Sequence, residues 1–120
     1  MRLEGNFYTV IKREQIQTDT FVVEVLLHAE HPIYAGHFPT QAVVPGVCML
    51  TVIRECLAEL LGRSVKFASI KECKYLSALL PREDLKIRLT LMLLADMQLK
   101  CMVTRCDDDQ TVIKLKADLQ

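Results

Sequence analysis

The sequence has no surplus of charge of either sign: Lys plus Arg and Asp plus Glu each number 15 in 120 residues. That balance, with no basic run interleaved with aromatics, removes the footprint of a nucleic-acid binder. No apolar run approaches a membrane span, and Met1-Arg2-Leu3-Glu4-Gly5 lacks the apolar stretch of a secretory signal. Cysteine occurs five times (Cys48, Cys56, Cys73, Cys101, Cys106), never as Cys-x-x-Cys, and the odd number argues against a disulfide framework. No spacing of His, Cys and Asp makes a zinc site, and Asp107-Asp108-Asp109 lacks the remaining ligands of a calcium loop, so no metal is expected. Linkers, repeats and low-complexity tracts are missing as well. The expectation is one domain over residues 1–120, in a reducing, cytoplasmic setting.

Apolar residues are what the chain has in quantity. They make up 51% of it, with a mean hydropathy of +0.20. For so short a chain this is slightly high, and it suggests apolar surface destined for a subunit interface. Most of the cysteines fall in apolar phase and read as small packed hydrophobes. Cys48 has a second reading, a thiol of lowered pKa near a helix N-terminus.

Periodicity supplies the elements. A first strand is expected over residues 6–13. Phe21, Val23, Val25 and Leu27 alternate with Val22, Glu24 and Leu26, which predicts a strand apolar on both faces and hence central. Val47, Leu50, Ile53, Leu57, Leu60 and Leu61 recur at three- and four-residue intervals, predicting a helix over 47–61 stopped by Gly62. Thr51, Arg54, Glu55, Ala58 and Glu59 form its thin polar stripe. A strand over 65–76, straight or bent, is followed by the turn Pro81-Arg82-Glu83-Asp84. Three alternating strands then follow, the last two joined through Asp107-Asp108-Asp109-Gln110. A meander after one largely apolar helix is an α+β pattern: an antiparallel sheet curled around a central helix.

The most informative stretch runs His31-Pro32-Ile33-Tyr34-Ala35-Gly36-His37-Phe38-Pro39, followed six residues later by Pro45-Gly46-Val47. His37, on a constrained turn beside a helix N-terminus, pairs a base that titrates near neutral pH with free N–H donors for an anion. A structural role within its own loop is the competing reading. His31 reads as a loop residue and His28 as a strand-end surface residue. Arg63, Lys66, Lys71, Lys74 and Arg82 read as scattered surface charge, with an acidic carrier protein as the other reading.

With Gly36-His37-Phe38-Pro39 and Pro45-Gly46-Val47 where they stand, this order of elements resembles the hotdog-fold 3-hydroxyacyl-acyl-carrier-protein dehydratases, over roughly residues 6–119. The resemblance implies a single hotdog domain that dimerises through a continuous sheet, with an acyl tunnel at the subunit boundary. It puts the family's histidine at His37 and its helix-opening glycine at Gly46, with Gly36, Phe38, Pro45 and Val47 beside the substrate. It also exposes a departure. The family carries Glu or Asp fourteen positions after that histidine, reaching the site from the other protomer; here the position is Thr51. Arg82 likewise stands where the family often has glycine after the proline.

Dehydrating a 3-hydroxyacyl thioester requires a base for the C2 proton, a site for the enolate-like oxygen and an acid for the leaving C3 hydroxyl. His37 fits the base, a role contributing ~10²–10⁴-fold. The N–H groups around Gly46, Val47 and Cys48 fit the oxyanion. Thr51 cannot be the acid. Glu55, one turn further and about 6 Å along the axis, is a candidate that Arg54 would hold ionised; Thr51 fixing a water is a second route. A heterodimer partner bearing an acid is the third. The reaction needs no cofactor, because side chains can perform both proton transfers. Three activities therefore stand: a dehydratase acting on thioesters of acyl carrier protein or coenzyme A, a non-catalytic acyl-binding subunit or heterodimer partner, and an acyl thioesterase. A homo-oligomer, dimer or multiple of dimers, is expected.

Overall fold

Among the described residues six strands surround one α-helix. In chain order these are β1 (Tyr8–Gln17), β2 (Thr20–Leu27), α1 (Gly46–Leu61), β3 (Phe67–Tyr75), β4 (Leu85–Leu94), β5 (Gln98–Arg105) and β6 (Thr111–Leu119). Apolar alternation is clearest in β2, β4, β5 and β6. The computed structural model describes residues 2–36, 43–94 and 97–120. The strands form one antiparallel sheet in the order β1-β2-β4-β5-β6-β3. The expected strand–helix–meander sequence is therefore present, and the architecture is the hotdog fold.

Register explains the core. Val23 sits opposite Leu89, Leu89 opposite Val103, and Val103 opposite Ile113, so one apolar row crosses four strands. All four are essentially inaccessible to solvent. The same face receives Cys48, Met49, Val52, Ile53, Cys56 and Leu57 of α1. Truncating one of these large side chains, such as Ile53→Ala, should cost about 2–5 kcal/mol.

The helix is phased differently from the sequence expectation. Its buried face includes both cysteines, which pack as small hydrophobes, whereas Val47, expected inside, is 70% exposed. Leu50, Leu60 and Leu61 are only partly covered. The sheet of one chain thus covers one side of α1 and leaves a partly apolar side open. At the far end Gly62 adopts φ 67°, and its N–H closes on the Ala58 carbonyl.

Two strands depart from their expected limits. β1 runs on to Gln17 through residues that read as polar loop. It lies at the edge of the sheet, so backbone pairing with β2, from Tyr8 opposite Leu27 to Gln17 opposite Thr20, sets its length and no apolar alternation is needed. β3, the other edge, is shorter than expected and bends through two register irregularities. Asp84 and Asp109 take positive φ in the turns before β4 and β6, a conformation Asp tolerates. Among the described residues no helix is long and apolar enough to cross a membrane.

Candidate active site at the start of the central helix

The approach to the site is built from side chains already committed locally. The His28 Nδ1–H donates to the Asn6 carbonyl at 3.0 Å, and its Nε2 accepts from the Thr9 hydroxyl at 2.7 Å. A carbonyl can only accept, which fixes that tautomer. His31 accepts the Ile33 N–H at Nδ1 (3.1 Å) and packs edge-on against Phe7. Both therefore have the structural roles read from the sequence. A 3-10 turn, Pro32–Gly36, follows and buries Tyr34 at 8% exposure. The Tyr34 hydroxyl has no partner among the described residues; burial, with the Cys48 thiol adding, pushes its phenol up to about 12. Gly36 ends this turn, and His37 and Phe38 lie outside the described residues.

The chain returns at Val43. The Val44 N–H donates to the Leu79 carbonyl at 2.8 Å, tying the entry to the segment that follows β3. Pro45, extended at φ −64° and ψ 136°, caps α1 without any side-chain hydrogen bond, and the first turn has no acid. The N–H groups of Cys48 (3.1 Å) and Met49 (3.2 Å) both fold back onto the Pro45 carbonyl. Cys48 is thus removed from the expected donors, while Gly46 and Val47 have no acceptor among the described residues. A helix start with two uncommitted N–H groups and no compensating acid attracts negative charge. The second reading of Cys48 also fails, since burial raises its thiol pKa instead of lowering it.

Gly46 is glycine for a steric reason. A Cβ there would lie 2.8 Å from both Cζ and the phenol oxygen of Tyr75. The aromatic ring occupies the space a side chain would need. Beside this contact opens a cavity of about 400 Å³, walled mainly by apolar side chains such as Val44, Met49, Leu79 and Ile113. Its size is that of a small-molecule site.

The two acid candidates are placed apart. Thr51 donates its hydroxyl to the Val47 carbonyl at 3.2 Å, within its own helix. The Glu55 carboxylate accepts the N–H groups of Leu3 (2.8 Å) and Glu4 (3.0 Å) and the Tyr8 hydroxyl (3.0 Å). Its partners are the N-terminal segment and β1, and no ion pair to Arg54 exists among the described residues. Pro45, Gly46 and Val47 meet at the helix start as expected, with Thr51 one turn on. Glu55 instead lines a separate open depression with Arg2, Arg54 and Arg63. Tyr75 and Ser77, both on the cavity wall, were missed by sequence reasoning; the one signal was the shared phase of Tyr75 with Cys73 along β3, with Ser77 just beyond its end.

Among the described residues a single α-helix is seated in a six-stranded antiparallel sheet, with an apolar cavity at its glycine-led N-terminus, and this defines a hotdog domain. A family model described as ApeI dehydratase matches residues 13–115, and the chain belongs to this ApeI-like family. Among solved structures it is similar to the dehydratase heterocomplex ApeI:P from Xenorhabdus doucetiae (25% identity, TM-score 0.79, covering 92% of this chain and 96% of that one). An uncharacterised protein from Erwinia carotovora subsp. atroseptica shares the fold (23% identity, TM-score 0.74, 94% and 95% covered). So does the dehydratase domain of the CurF module of curacin polyketide synthase, at 12% identity and TM-score 0.68, covering 92% of this chain and 43% of that one. No curated protein sequence matches the chain.

Proposed function

We propose that the chain works in a hotdog dimer on 3-hydroxyacyl thioesters carried by a phosphopantetheine arm, on acyl carrier protein or coenzyme A, and eliminates water from them. The observation that carries this reading is the pair of uncommitted N–H groups at Gly46 and Val47 beside an apolar cavity, in a member of a dehydratase family. His37 takes the C2 proton while the thioester oxygen, gaining negative charge, is held at the helix start. The C2 electron pair forms the C2–C3 double bond as the C3–O bond breaks. The departing oxygen needs a proton to leave as water.

That proton has no evident source in this chain's helix. Thr51 is not acidic and is bonded to its own backbone, and Glu55 is committed elsewhere. We therefore assign the acid to a second hotdog chain, and a homodimer is an acyl-binding body with a weak or silent active site. The similar ApeI:P structure is a dehydratase heterocomplex, which supports this arrangement. So does the open side of α1, where Val47 is 70% exposed, and the outer edge of β3, flanked by Ile70, Tyr75 and Leu76 at 45–51% exposure. A second sheet continuing from β3 would cover both. All five cysteines are free thiols, in keeping with a cytoplasmic site of action.

Light scattering at micromolar concentration and a coupled hydration assay test this directly. The expected results are a dimer and slow turnover of an enoyl thioester by the chain alone. A monomer contradicts the shared site.

A further inference from the structure

The cavity at the start of α1 contains more polar capacity than the two helix N–H groups. Tyr75 ends β3, and its phenol oxygen stands against Gly46, so close that a Cβ on residue 46 would meet it at 2.8 Å. The side chain is 51% exposed and so can be reached by a ligand. The Cys73 thiol beside it is a weak acceptor that leaves the O–H capable of a better bond. Burial, reinforced by Cys73, pushes the phenol up to about 12, so the group keeps its proton throughout the neutral range. Two residues on, the Ser77 hydroxyl lines the same cavity, buried and without a partner among the described residues. A buried hydroxyl of this kind is ordinarily hydrogen-bonded, and an occupant of the cavity with an acceptor or donor would satisfy it.

Gly46 and Tyr75 adjoin, Ser77 lines the same space, and the other lining side chains are apolar. A ligand matching that pattern has a hydrogen-bond acceptor at one end and a hydrocarbon body, which describes an acyl thioester. We propose that Tyr75 is a second donor to the thioester carbonyl oxygen, closing from β3 the oxyanion site that Gly46 opens from α1. The proposal rests on the acyl-thioester reading above and extends it to a residue outside the histidine and helix motifs. It also explains why position 46 must be glycine on two counts: backbone approach to the ligand and room for the phenol.

The test uses crotonyl-pantetheine as probe and follows its carbonyl stretch by difference infrared spectroscopy, together with its affinity. With the unmodified protein the stretch should move to lower frequency, uniformly from pH 6 to 9. Tyr75→Phe keeps the ring, removes the donor, and should cancel part of that shift while weakening binding about 3- to 10-fold, the loss of one neutral hydrogen bond. Site-specific 3-fluorotyrosine at position 75, a more acidic phenol, should enlarge the shift, a gain that no folding defect can mimic. An unchanged stretch in both variants overturns the role of Tyr75 and leaves the thioester reading standing. Tighter binding by Tyr75→Phe also overturns it, making the side chain an obstruction. No binding by the unmodified protein overturns both.

Discussion

The two ends of α1 show opposite uses of the same kind of group. Toward the C-terminal end several polar groups are committed to the fold. Gly62 closes the last turn on Ala58, the Arg63 N–H adds a second bond to that carbonyl at 3.2 Å, and Glu55 satisfies three donors from the N-terminal segment and β1. At the N-terminal end Pro45 offers no side-chain cap, the first turn has no acid, and the Gly46 and Val47 N–H groups have no acceptor among the described residues, with Gly46 lining a cavity. Orphaned donors at a helix start cost stability unless something satisfies them. One end holds the fold and the other is the end proposed to receive a ligand, and a carboxylate four residues from Thr51 belongs to the first.

That contrast breaks if substitutions at the open end change stability, or those at the closed end change turnover. The largest effect expected is at the proposed base. His37→Ala should lower dehydration by the complete complex at least ~10²-fold with little change in the urea midpoint, because general-base contributions are of that order. Turnover like that of the unmodified protein would reduce His37 to a structural residue. Next comes Glu55→Ala, which leaves two backbone N–H groups and the Tyr8 hydroxyl without their acceptor. It should lower stability by about 2–3 kcal/mol, read as a reduced urea midpoint at constant slope, with turnover per folded molecule unchanged. The smallest is Gly46→Ala. The added methyl meets only the far end of the Tyr75 side chain, so the ring can swing aside and the fold survives. Affinity for an acyl thioester should nevertheless fall about tenfold, measured by calorimetry, since both donors at that end are disturbed.

Much of this was legible in the chain. Period-two alternation placed β2 and the three-strand meander, and the Pro45-Gly46 pair with Gly62 bounded α1 to within a residue. Gly36-His37-Phe38-Pro39 pointed to the family before any coordinates. What sequence could not supply were contacts made by chain segments far apart. Glu55 reads as a free carboxylate on a polar stripe because its partners lie some fifty residues away. Val47 fits the apolar period, but the sheet covers α1 from the side of Cys48 and Cys56. Tyr75 meets Gly46 only because β3, at the sheet edge, ends over the helix start. No local pattern encodes that meeting.

The central claim is that this chain provides base and oxyanion site but not the acid. The measurement that tests it most directly compares the purified homodimer with its Thr51→Glu variant on a 3-hydroxyacyl thioester. The account predicts slow turnover by the unmodified chain and a gain of at least ~10-fold in the variant. A well-placed acid contributes nearer ~10², and a misplacement of about 1 Å removes much of that. Brisk turnover by the unmodified homodimer, slowed by Thr51→Glu and abolished by Glu55→Gln, would contradict it and place the acid one helical turn along.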